Sequence, residues 1–193
     1  MQNKTAMQQF VIALLKDHLP ENYYYHNYLH TLYVVAKAAE IGRHEHCTEK
    51  EMELLHAAAL WHDTGYVKTY IGHEEESCLL AKKYLPGYGF NETDIYGICE
   101  MIMATKIPQS PKNKLEEMIA DADLVYLGTS DAAEKATDLF KELRSLNPSL
   151  TMAGWNQMQI AFLSAHHYFT QYHSERSEPV KQAYLAQLKE TAA

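Results

Sequence analysis

Apolar residues return every three or four positions along most of this chain, a period that fits helices and leaves little room for strands. The spacing predicts helices over residues 3–18, about 26–45, from just after Thr48 to near Trp61, and over 73–85, 91–105 and 113–127. Three more are expected over 130–146, 151–171 and 174–191. Pro20, PGYG (86–89), PQSPKN (108–113) and NPS (147–149) punctuate them. Thr48 with Glu51 three residues on is the signature of a capped helix start. The polar and aromatic run HDTGYVKTYIG (62–72), which carries two glycines, reads as a loop. No segment alternates polar and apolar residues, none repeats, and there is no Gly-rich phosphate loop. The expected fold class is therefore all-α: a compact multi-helix bundle, whose ligand sites form between inward-facing side chains.

At 193 residues and 47% hydrophobic, the chain can bury one sizeable core. The expectation is a single domain over 1–193, with motifs concentrated in about 23–130 and helices of 131–193 packing on them. A net charge of −8, with no Lys/Arg cluster, argues against a nucleic-acid polymer as partner. A small phosphorylated substrate is still compatible with that charge if a metal ion supplies the positive partner. Cys47, Cys78 and Cys99 are odd in number and lack CxxC spacing, so neither a disulfide framework nor a zinc knuckle is indicated. The first residues lack the marks of a signal peptide, and no apolar stretch reaches the ~18–20 residues of a membrane span. No membrane partner and a cytoplasmic location are expected. Eleven histidines are many for this length, which makes metal ligation worth testing.

His62 and Asp63 stand together at the end of the apolar run LLHAAALW. Burying an imidazole and a carboxylate there costs several kcal/mol unless something compensates, and a divalent cation compensates both. The alternative is an Asp that caps a turn beside a His satisfied by a carbonyl. The DTG triplet lacks the second aspartate loop that aspartic-protease chemistry needs. In YYYHNYLHTLYVV (23–35), His26 and His30 are one helical turn apart and share a face. In IADADLVYLG (119–128), Asp121 and Asp123 diverge by about 200°, so one of them at most faces a shared ion with ease. Of the nearby basic residues, Lys68, Lys106 and Lys112 are candidates to meet a phosphate, and Tyr66 and Tyr70 to stack on a base.

An early helical His, a His-Asp pair some thirty residues on and an Asp in a later apolar helix together resemble the HD-domain superfamily of metal-dependent phosphohydrolases. The wider pattern of YHNYLHTLYVV, AALWHDTGY, GHEEES, IMATK and DADLVYLG is similar to its bacterial subgroup of predicted metal-dependent phosphohydrolases, and HHYFT (166–170) extends the likeness. The resemblance implies His30, His62, Asp63 and Asp123 as metal ligands, with Asp121 the alternative to Asp123. In the cyclic-nucleotide phosphodiesterase branch, YHN-x-x-H places the general acid at its first His. That implies His26 as proton donor, a role suited to a pKa near neutrality. His73 would stand near a second ion, with Glu74 or Glu75 holding a water. Because CEMIMATK (99–106) lacks the later histidines of two-metal members, one divalent ion is expected, drawn from Mn, Fe, Ni, Co, Zn or Mg.

The implied activity is hydrolysis of a phosphomonoester, phosphodiester or pyrophosphate bond in a small metabolite, foremost a nucleotide. Asp63 would orient the attacking water. A non-catalytic nucleotide-binding or sensory module is the second reading, and an iron oxygenase the third. Apolar helices beyond residue 150 would close the core or form a homodimer face.

Overall fold

The structure, a computed structural model, describes residues 2–192. Its α-helices are α1 (Gln2–His18), α2 (Tyr28–His44), α3 (Glu49–Trp61), α4 (His73–Tyr84) and α5 (Glu92–Ala104). They are followed by α6 (Lys114–Leu124), α7 (Ala132–Leu146), α8 (Met152–Ala165), α9 (Gln171–Arg176) and α10 (Glu178–Ala192). No strand occurs among the described residues, so the all-α expectation holds. No helix among them is long and apolar enough to cross a membrane. The residues fall into two compact units: the chain to Pro20 with His26–Asp123, and Glu21–Tyr25 with Leu124 onward.

In the first unit α3 is the central helix and packs against α2 and α5. Its residues from Leu55 to Trp61 are all buried, as expected of a helix apolar on every side. Val34, Ala38 and Ile41 of α2 and Ile98 and Ile102 of α5 are likewise buried. Helix starts follow local chemistry. Thr48 and Glu51 form the expected capping box on α3, and Asn91 with Asp94 does the same for α5. Asn27 caps α2 by accepting from the Leu29 and His30 amides. That cap fixes the first turn of α2, from which His30 projects.

The expected loop at 62–72 contains a 3-10 turn, Thr64–Val67, which packs on α4. Gly72 then enters α4 at φ 77°, a left-handed conformation that glycine adopts without strain.

In the second unit α8 packs on α10, and α10 on a 3-10 turn at Val125–Gly128. The expected helix over 113–127 is thus shortened: α6 ends at Leu124 and tightens into that turn. The helix expected over 151–171 also breaks, with α8 ending at Ala165 and His166 in extended backbone. The Tyr168 hydroxyl there donates to the carbonyls of Leu124 (3.2 Å) and Val125 (3.3 Å), while Thr170 caps α9. Side-chain partners outside the helix therefore override a periodicity that runs on through HHYFT. The helix expected over 174–191 starts only at Glu178, with Pro179 in its first turn, where a missing N–H costs nothing.

Lys181 is fully buried in this unit, with its ammonium 2.9 Å from Glu178 Oε2 and donating to His166 Nδ1 at 3.1 Å. Burial and the Lys181 charge lower the His166 pKa to about 4. In the first unit, burial and the charge of Lys4 lower that of His56 to about 4 as well. Unfolded imidazoles take up a proton near pH 6.5, so between 6.5 and 4 the unfolded state binds more protons than the folded one. The stability that these two imidazoles contribute is accordingly full above pH 6.5 and falls on acidification, by up to about 3 kcal/mol for each. Melting temperatures from pH 7.5 to 4 should show this slope, and His56→Leu should remove about half of it.

Candidate metal centre

Three helices and one turn bring the candidate ligands together within the first unit. His30 comes from the first turn of α2, His62 and Asp63 from the end of α3, and Asp123 from the last turn of α6. One ligand atom from each of His30, His62 and Asp123 lies within 4.8 Å of the other two. His30 Nε2 is 3.1 Å from Asp123 Oδ1 and 3.4 Å from Asp63 Oδ2. His62 Nε2 is 3.2 Å from Asp63 Oδ2 and 3.5 Å from Asp123 Oδ1. Asp63 is not one of that group of three, but its Oδ2 stands against both imidazole nitrogens, so two carboxylates flank the same pair of rings. Asp121, fully buried two residues earlier on α6, lies outside the His30–His62–Asp123 cluster.

The local bonding prepares His62 for ligation. Its Nδ1–H donates to the Ala59 carbonyl at 2.8 Å, which fixes the ring and turns Nε2 toward the carboxylates. His62 is fully buried, and both its Nε2 and Asp63 Oδ2 are buried without a hydrogen-bond partner. Such orphaned atoms are costly unless something satisfies them. A divalent cation taking N and O donors fits them.

Electrostatics agree with this pairing of charges. Burial alone would lower the His62 pKa, but the charges of Asp63 and Asp123 push it well above its ordinary value. Burial would likewise raise both acids. His62 instead holds Asp63 far below the usual carboxylate range, and the hydrogen bond from His30 together with the charge of His62 holds Asp123 at about 2.

Around the cluster stands an aromatic layer. The Tyr66 ring stacks on His73 at 3.8 Å and on His26 at 4.4 Å, and the His26 ring is 6.0 Å from that of His30. Tyr66, weighed in the sequence as a platform for a base, is buried and packs against these two imidazoles. Tyr70 lies 5.2 Å from Tyr66. His73 opens α4, with Nδ1 3.2 Å from the Tyr70 carbonyl and Nε2 3.6 Å from Asp63 Oδ1.

The other candidates scatter. Glu74 is buried, its Oε2 3.7 Å from His73 Nδ1. Glu75 is exposed and forms an ion pair with Lys106. Lys68 is exposed, and Lys112 pairs with Glu100 at 3.5 Å. Sequence reasoning missed Ser77 of α4, whose hydroxyl bonds the backbone on both sides of Asp63. Its signal was the last letter of GHEEES.

A family model described as "HD domain" matches residues 27–186. No curated protein matches the chain. Among solved structures, Bacillus subtilis YpgQ in complex with ADP is similar, with a TM-score of 0.68 and 17% identity. The match covers 98% of this chain and 95% of that one. At that identity the likeness concerns the fold.

Proposed function

The chain belongs to the HD domain family, and on that footing we propose that it is a metal-dependent phosphohydrolase acting on a small phosphorylated metabolite, foremost a nucleotide. The observation that carries this reading is the convergence of His30, His62, Asp63 and Asp123, with His62 Nε2 and Asp63 Oδ2 buried and unsatisfied. These four residues would hold one divalent ion. When bound, such an ion neutralises phosphate charge and acidifies water. The ADP held by YpgQ supports a nucleotide as the substrate class. The match over 27–186 runs through both compact units, which supports reading them as one domain.

The remaining roles fall to this chain's own groups. Asp63 would orient the attacking water, with His73 Nε2 3.6 Å from its other oxygen. His26, stacked on Tyr66, donates a proton to the leaving oxygen. Glu74 steadies His73 from behind, and the Glu75–Lys106 pair offers an ammonium to a phosphate oxygen.

Phosphate release from a panel of nucleotides, each supplemented with Mn, Mg, Co or Ni, tests the proposal. Turnover on at least one compound, reduced ~10³-fold or more in Asp63→Ala, is the expected result, since a metal ion contributes several kcal/mol to such a barrier. Stoichiometric metal without turnover on any nucleotide would instead favour a binding module.

A further inference from the structure

We propose that Ser77 is a positioning residue of the metal centre, setting the angle at which His62 and Asp63 present their ligand atoms; this rests on reading the cluster as a metal site. Ser77 sits on α4 and is fully buried. Its hydroxyl donates to the His62 carbonyl at 2.6 Å and accepts from the Gly65 N–H at 2.8 Å. One oxygen thus closes the turn that carries both ligands.

The backbone here needs such a partner. α3 ends at Trp61, and the last carbonyls of a helix have no acceptor role within it. The following 3-10 turn uses the carbonyls of Asp63 (from Tyr66 N–H, 3.1 Å) and Gly65 (from Lys68 N–H, 2.8 Å) and passes over that of His62. Residues 62–66 are all buried, so water does not offer the missing bonds cheaply. A hydroxyl donates and accepts at once, a thiol does either weakly, and a methyl does neither.

The turn is also pressed onto α4. A Cβ on Gly65 would stand 1.9 Å from the His73 carbonyl oxygen and 2.8 Å from the Ser77 amide. Ser77 therefore joins the ligand-bearing turn to the helix that also carries His73. Thr64, whose hydroxyl donates to the Trp61 carbonyl at 2.8 Å, fixes the turn from the other side. With both hydroxyls in place the backbone of the turn is fixed, which sets the direction in which His62 and Asp63 leave it, while the Ala59 carbonyl fixes the His62 ring.

Supporting groups of this kind typically change metal affinity by ~10–100-fold when removed. The test is calorimetric titration of metal-stripped protein with Mn²⁺, well below the melting temperature. Ser77→Ala should weaken binding ~10–100-fold and speed hydrogen exchange at the Gly65 amide. Ala81→Gly, at a fully buried position on the same helix, should lower the melting temperature and leave the Mn²⁺ affinity unchanged. Should Ser77→Ala fail to fold, Ser77→Cys keeps the shape with weaker bonds and should show a smaller loss of affinity. Wild-type affinity in the Ser77 variant that folds, or equal weakening in Ala81→Gly, overturns the positioning role. A wild-type protein that takes up no Mn²⁺, Co²⁺, Ni²⁺, Fe²⁺, Zn²⁺ or Mg²⁺ overturns the metal reading itself, and the role of Ser77 with it.

Discussion

His62→Ala is expected to yield a folded helical protein that no longer retains metal. The substitution removes a fully buried nitrogen that lies 3.2 Å from Asp63 and 3.5 Å from Asp123. It leaves α3 itself intact, because the imidazole lies just beyond the last helical residue and an alanine favours the helix. Two carboxylates and one imidazole would then face each other across the vacated space, with only His30 left to offset the charge of the acids. Their mutual repulsion should push one of them to take up a proton. Circular dichroism should remain close to wild type, while bound metal falls to a small fraction of an equivalent and phosphate release falls with it. A full equivalent of metal in this variant would mean that the ligand set is wrong.

The largest expected effect on folding comes from Gly65→Ala. At 1.9 Å from a backbone oxygen, the added methyl cannot be relieved by a side-chain rotation, so either the turn or the start of α4 must move. We expect a loss of about 4 kcal/mol or more, which for a chain of this size lowers the melting temperature by roughly 10 °C. Gly87→Ala is the matched control, since a Cβ there meets nothing within 4 Å. Thermal denaturation of the two variants side by side checks the contrast. Equal melting temperatures would show that the turn does not press on α4 as described.

Much of the first unit was legible because its signals are local. The capping box at Thr48 and Glu51 and the apolar run to Trp61 each define an element without reference to the rest of the chain. The expectation that His26 and His30 share a helical face fails, because α2 begins at Tyr28 and the extended cap Asn27 separates His26 from it, so the 6.0 Å between their rings does not come from helical spacing. Spacing alone did not choose between Asp121 and Asp123; only the resemblance favoured Asp123, the one found beside His30 and His62. The choice depends on how α6 is rotated against its neighbours, and that is set by packing of residues such as Met118 and Ile119, both fully buried. The break at His166 was hidden for a similar reason. The apolar spacing of α8 continues into HHYFT, and only the distant partners of Tyr168 and Lys181 interrupt it. Tyr66 illustrates the same limit, since a tyrosine near a site suggests a platform until the two imidazoles stacked on it are known. Ser77 stood in a quoted motif, yet its two backbone bonds come from a turn twelve or more residues earlier.

The most direct measurement is a crystal of the protein grown with Mn²⁺, with diffraction recorded for anomalous scattering from the metal. We predict one strong peak bounded by His30 Nε2, His62 Nε2 and carboxylate oxygens of Asp63 and Asp123, at about 2.0–2.3 Å from each. A peak coordinated elsewhere, or full density for the four side chains with no peak among them under any metal supplied, would contradict the account.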